Sequence, residues 1–128
     1  MDAFFLEKKI YYHDTDCGGV VYYANYLKYL EEARTEFFLS KGIVLKKWAD
    51  TGIHFVVARV EIDYKSPVRY QETIKILTKI KSVGRVALEF SQEITKDSVL
   101  AVKAHTTLVC VGKGFKPVRI PDEIKTLL

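Results

Sequence analysis

The chain has 128 residues, 48% of them apolar, which suits one domain spanning 1–128 that buries roughly two thirds of its extended-chain surface. Twenty basic residues against 16 acidic ones give a net charge of +4, without the dense Lys/Arg run of a nucleic-acid groove. No stretch approaches the ~20 apolar residues of a membrane-spanning helix.

The N-terminus, MDAFFLEKKIYY, carries Asp2 and only a short apolar run, so it reads as neither signal peptide nor anchor. With two cysteines and no secretory signal, the expected compartment is the reducing cytoplasm. Loose contact with a membrane surface is compatible with the basic balance.

Residues 3–13 are rich in aromatic and β-branched types and predict a first strand. An Asp/Gly turn follows, then the one long helical pattern. Tyr23, Tyr26, Leu30, Ala33 and Phe37 recur at three- and four-residue steps, with Leu27 and Phe38 widening the stripe. Lys28 and Glu32 are spaced to pair on the helix surface. Gly42 is a stop signal. Residues 44–49 predict a further short helical turn, with Trp48 packing over the helix end.

The rest reads as strand. Residues 56–64 alternate between an apolar and a largely polar face. Ser66-Pro67 marks a connection. Ile74, Ile76 and Ile80 define the next strand, with lysines on the solvated side of residues 75–81. A tight turn at 82–85 leads into Val86, Leu88, Phe90 and Ile94, predicting a hairpin. Lys96-Asp97-Ser98 is another turn. Residues 99–111 are apolar on both parities, as expected of a strand buried on both faces or at an interface. Gly112 and Gly114 interrupt it before a predicted strand at 115–120. Pro121-Asp122-Glu123 opens a short final helix. One helix packed on one curved antiparallel sheet is the simplest architecture. Its open edges predict pairing with another copy.

The densest chemistry lies at 12–22, YHDTDCGGVVY. A helix N-terminus presents free N–H groups and positive potential, so a carboxylate beside it has an electrophile-binding partner. Asp16, Gly18, Gly19 and the amides near Tyr23 therefore form a candidate site for attack on a carbonyl. The plainer account is a turn with helix capping, in which Asp and Thr accept backbone N–H bonds and glycine supplies unusual backbone angles. His13, Asp14 and Asp16 do not form a known metal-ligand motif. Cys17 with His13 as base is a weaker nucleophile reading, since such partners are usually distant in sequence. Cys110 reads as a core residue, and His54 and His105 as ordinary strand histidines.

The string DTDCGGVVYYANYLKYLEEARTEFF resembles the start of the 4-hydroxybenzoyl-CoA thioesterase family of hotdog proteins, in particular its YbgC-like, Tol–Pal-associated acyl-CoA thioesterases. EIDYKSPVRYQETIKI and LVCVGKGFKPVRIP extend the resemblance over nearly the whole chain. It implies an α+β hotdog fold: a long central helix wrapped by a five- to six-stranded antiparallel sheet. It also implies dimers, often paired into homotetramers, with sites at the subunit interface. The family's catalytic carboxylate falls on Asp16, and the carbonyl-polarising backbone amide on Tyr23. Many Tol–Pal-associated members carry His where this chain has Tyr23, which weakens any transfer of substrate preference. Tyr12, Val21, Tyr22, Asn25 and Tyr26 match as pocket or support residues. Arg59, Lys65, Arg69 and Arg85 are candidates, by charge, for the phosphates of coenzyme A.

The implied reaction is hydrolysis of an acyl-CoA, or of an acyl-carrier-protein thioester, without a cofactor, coenzyme A being part of the substrate. A fixed N–H would stabilise the developing oxyanion. Asp16 would act as general base or as nucleophile, and aspartate carboxyls are ordinarily ionised at neutral pH. The competing reading is a non-catalytic hotdog module that binds acyl carrier protein or membrane-linked machinery. A hotdog dehydratase needs a histidine that GGVVYYANY lacks.

Overall fold

A computed structural model describes residues 3–128. The N-terminal reading that rests on Asp2 lies outside the described residues. The elements are β1 (Phe4–Lys9), α1 (Asn25–Ser40), α2 (Leu45–Asp50), β2 (His54–Tyr64), β3 (Thr73–Val83), β4 (Ala87–Lys96), β5 (Val99–Val111) and α3 (Asp122–Leu127). The strands form one antiparallel five-stranded sheet in the order β1-β3-β4-β5-β2.

Alternation along each strand sends one set of side chains inward against α1. Ile76, Ile94 and Val102 form one inward row of the paired strands and are fully buried. The β4–β5 hairpin closes on Asp97 (φ 49°) and Ser98 (φ 66°), the two left-handed residues that a tight hairpin turn requires.

The helix buries Tyr26, Tyr29, Leu30, Ala33, Arg34, Phe37 and Phe38, a stripe at helical spacing. Residues toward its N-terminus pack with Ile74, Ile76, Ile94 and Val102. Phe37 and Phe38 pack with Leu88, Phe90 and Ile120, and Trp48 leans on this second cluster as predicted.

Several expectations need correction. Tyr23 precedes the helix rather than belonging to its apolar stripe, and Leu27 is exposed; Tyr29 and Arg34 take their places inside. Arg34 is tolerated because Gln92, 1% exposed, accepts its Nη1–H at 3.1 Å. Gln92 in turn donates to the Leu30 carbonyl and the Thr78 hydroxyl, both at 3.0 Å. Glu32 pairs with Lys8 of β1 at 3.5 Å, not with Lys28. Tertiary proximity overrides the helix spacing there.

The first strand ends at Lys9, because Tyr12–Asp14 forms a 3₁₀ turn. Residues 115–120 are not a strand. They run back beside the end of β5 through an isolated bridge and the Val118 N–H donating to the Cys110 carbonyl at 2.9 Å. Pro117 lacks the N–H that a continuous ladder would need.

Candidate active site

The 12–22 segment folds into a small hairpin in front of α1. Asp16 N–H donates to the Val20 carbonyl at 2.9 Å, and Gly19 N–H to the Asp16 carbonyl at 3.1 Å. Thr15 bridges Val21. Gly19 sits at φ 77°, the left-handed position of a three-residue hairpin loop. Within the loop, Asp16 Oδ1 accepts the Gly18 N–H at 2.8 Å, an Asx turn. A Cβ on Gly18 would stand 3.2 Å from that oxygen, so the glycine lets the backbone come this close. The turn uses one carboxylate oxygen of an exposed residue and leaves Oδ2 for other work.

The two aspartates part company. Asp14 is 7% exposed while Asp16 is exposed. Asp14 Oδ2 accepts the Tyr11 N–H at 2.8 Å. Burial pushes its carboxyl up, but the Tyr11 N–H, the neighbouring Tyr29 hydroxyl and the charges of His13 and Lys8 outweigh that and hold it below its ordinary range. Burial, with Asp14 close by, pushes the Tyr29 hydroxyl strongly up. That hydroxyl is buried without completing a hydrogen bond of good geometry. Asp14 is therefore part of the framework.

The Asp14 carbonyl is a hub. It accepts the Tyr22 N–H at 3.0 Å and Asn25 Nδ2–H at 2.9 Å. These bonds tie the hairpin to the first residue of α1. The next amides, Asn25 and Tyr26, donate to the carbonyls of Tyr22 and Tyr23. Among the described residues, no group accepts the Tyr23 N–H. The Tyr23 amide lies two residues before α1 and the Ala24 amide, also unclaimed, at its N-cap, both near the positive end of the helix dipole, where a free N–H is a ready donor to developing negative charge.

An open cleft of about 260 Å³ is lined by Val20, Val21, Tyr23, Tyr26, Tyr64 and the 65–67 segment, and Asp16 is not among its lining residues. Tyr23 meets Tyr64 edge-on at 6.1 Å, and Tyr64 leans on Tyr26 at 5.6 Å. The Tyr64 hydroxyl donates to the Tyr23 carbonyl at 3.3 Å. Burial and the neighbouring Tyr23 raise the Tyr64 pKa, and burial likewise raises that of Tyr26. The cleft is thus a largely apolar, aromatic slot in which Lys65 is the one charged lining residue.

Among the predicted binding residues, Val21, Tyr26 and Lys65 line this cleft. Arg69 pairs with Val20 through the backbone just beyond it. Asn25 supports the hairpin. Tyr22 is 45% exposed against Tyr23, and Tyr12, 77% exposed, rests on Tyr70. Neither of the last two lines the cleft. Arg59 lies midway along β2 in a 3.4 Å ion pair with Glu61. Arg85 is in the β3–β4 turn, where its carbonyl accepts the Ile120 N–H. Seven β5 positions separate the partner of neighbouring Ala87 from that of Tyr64, roughly 23 Å of strand, so the fold does not bring Arg85 to the cleft of the same protomer.

Tyr64, Ser66 and Pro67 line the cleft although their residue types in the sequence give no sign of a site. Their place depends on the pairing of Tyr64 with Val102, which no local pattern announces. Cys17 is exposed and Cys110 buried, as a core thiol should be.

Residues 11–128 match the model of the thioesterase-like superfamily. The chain belongs to this family. It is 32% identical over 126 residues to the acyl-CoA thioesterase YbgC of Haemophilus influenzae, with 97% of this chain and 93% of that one aligned. A crystal structure of a hypothetical protein from Aquifex aeolicus superposes with a TM-score of 0.93 at 32% identity, covering 98% of each chain. The 4-hydroxybenzoyl-CoA thioesterase of a Pseudomonas strain superposes with a TM-score of 0.90 at 19% identity, over 98% of this thioesterase-like chain and 99% of its own. That likeness shows the hotdog fold.

Proposed function

We propose that this protein hydrolyses acyl-CoA thioesters, with Asp16 as the reacting carboxylate and the Tyr23 amide as the oxyanion donor. The observation that carries the reading is the unclaimed Tyr23 N–H, on a cleft residue, in the same chain segment as a turn that engages only one oxygen of Asp16. The relatives' names, acyl-CoA thioesterase among them, agree with it.

In the general-base route, Asp16 takes a proton from water as the water oxygen bonds to the thioester carbon. The carbonyl oxygen becomes an oxyanion held by the Tyr23 N–H, a term worth about 3 kcal/mol per donor in other enzymes. The C–S bond then breaks, and the departing thiolate receives the proton. In the nucleophilic route an Asp16 carboxylate oxygen bonds to the thioester carbon, the C–S bond breaks to release the thiolate, and water then opens the mixed anhydride, giving the free acid, regenerating the carboxylate and supplying the proton that the thiolate takes up. Both routes use no cofactor.

Lys65, which lines the cleft, and Arg69, whose backbone bridges Val20, are the proposed contacts for coenzyme A phosphates. Among the described residues β2 has no strand on its outer side, which supports pairing with a second copy to form a dimer, and dimers of dimers from there. No described helix is long and apolar enough to cross a membrane. The proposed location is the cytoplasm, with peripheral contact at the inner membrane.

The test is thiol release from short, long and aromatic acyl-CoAs. Turnover of at least one class is expected. If none is cleaved, while acyl carrier protein binds equally to wild type and Asp16→Asn, the carrier-binding module replaces the thioesterase.

A further inference from the structure

The connection between β2 and β3 supplies Lys65, Ser66 and Pro67 to the wall of the cleft. Its ends are fixed by backbone bonds. The Lys65 and Ser66 amides donate to the Ala101 carbonyl at 2.7 and 3.1 Å, and the Gln71 amide donates to Ile10 at 2.9 Å. The arch between them, Pro67 to Tyr70, has a backbone bond from the Glu72 N–H to the Arg69 carbonyl at 3.2 Å and side-chain ties in addition. The Glu72 carboxylate accepts the Arg69 N–H. Lys96, the last residue of β4, reaches across to Glu72 at 3.1 Å and to the Pro67 carbonyl at 3.3 Å. Both side chains are largely withdrawn from solvent, 20% and 29% exposed, so the pair is less screened than a surface salt bridge.

The arch in turn carries the catalytic hairpin. Val21 N–H donates to the Val68 carbonyl at 2.8 Å, Val20 bridges Arg69, and the Val20 carbonyl accepts the Asp16 N–H at 2.9 Å. The path from Lys96 to Asp16 therefore alternates hydrogen bonds with one-residue steps of backbone, Pro67 to Val68 and Val21 to Val20.

We propose that Lys96 and Glu72 are positioning residues that clamp the 67–70 arch and so set Asp16 against the Tyr23 amide. The inference rests on the thioesterase reading above. Neither residue lines the cleft, so their effect runs through the arch. A sub-ångström drift of a reacting group suffices to slow an enzyme severalfold.

The test compares wild type, Lys96→Met, Lys96→Arg and Glu72→Gln in the intact protein. Each is assayed for kcat, KM, thermal midpoint and amide exchange at Val21 and Arg69. Lys96→Met is expected to lower kcat at least fivefold with KM changed less than twofold. It should also speed exchange at both amides at least tenfold. Lys96→Arg should restore kcat to within twofold. A purely structural role would lower the midpoint while leaving kcat and both amides unmoved. Lys96→Met and Glu72→Gln that both keep kcat within twofold would overturn the proposal. If Lys96→Met fails to fold, Glu72→Gln decides it by the same criteria. If wild type cleaves no acyl-CoA, the thioesterase reading is what fails, and exchange at Val21 and Arg69 alone then judges the clamp.

Discussion

Asp16→Asn separates chemistry from architecture unusually well here. In the native turn Asp16 contributes one side-chain acceptor, Oδ1, to the Gly18 N–H at 2.8 Å. An asparagine amide oxygen accepts the same bond, and Asn suits the same turn position. The residue is exposed, so the substitution leaves no buried polar atom unpaired. The stability change should fall within about 0.5 kcal/mol. The chemistry should not survive: an amide neither takes a proton from water nor forms an anhydride. Loss of a general base costs about 10²–10⁴-fold in rate, which is roughly 3–5 kcal/mol of transition-state stabilisation. Thiol release followed with a chromogenic disulfide gives kcat and KM, and thermal unfolding by circular dichroism gives stability. The expected result is turnover slowed by about two orders of magnitude or more, with an unchanged melting midpoint. Asp16→Asn that retains a tenth or more of the wild-type turnover would refute the assignment. Asp16→Ala, which also removes the turn acceptor, should add a stability loss of about 1 kcal/mol.

Gly18→Ala places a methyl 3.2 Å from Asp16 Oδ1; the carboxylate must shift by a few tenths of an ångström, and kcat should fall roughly tenfold, measured by the same thiol assay. Asp14 is held below its ordinary pKa in the fold, so its contribution is present above about pH 4 and is lost as pH falls through the folded value. Asp14→Asn should therefore be less stable than wild type at pH 7 yet lose less further stability on acidification below about pH 4. Denaturant melts between pH 7 and 2.5 check this, and parallel acid limbs would contradict it. Gln92→Ala removes the acceptor of Arg34 Nη1 and a donor to Thr78 and the Leu30 carbonyl. Taking a neutral acceptor from a buried guanidinium costs about 1.5–3 kcal/mol. A urea midpoint shift corresponding to less than about 1 kcal/mol would show that Arg34 has another partner.

The amino-acid sequence by itself determined the helix, the hairpin of β3 and β4, the buried Cys110 and the turn that carries Asp16. These follow from local periodicity and turn chemistry: apolar residues at helical or alternating spacing, and glycine where a positive φ is needed. The resemblance carried by DTDCGGVVYYANY pointed to Asp16 and Tyr23 before any coordinates. Only the tertiary structure decided that Asp14 is framework while Asp16, two residues on, is exposed. The chain turns between them, and Asp14 is held by the nearby Tyr11 N–H and His13 together with the distant Tyr29 of α1. Pairings across long sequence separations decided the rest. Glu32 found Lys8 instead of Lys28, Arg34 found Gln92, and Tyr64 came to the cleft through the register of β2 on β5. The strand expected at 115–120 became an irregular return because Pro117 breaks the ladder that its apolar residues would otherwise have continued. Local residue types fix which backbone shapes are available, whereas the long-range contacts that only the folded sheet creates fix which side chains meet in the cleft.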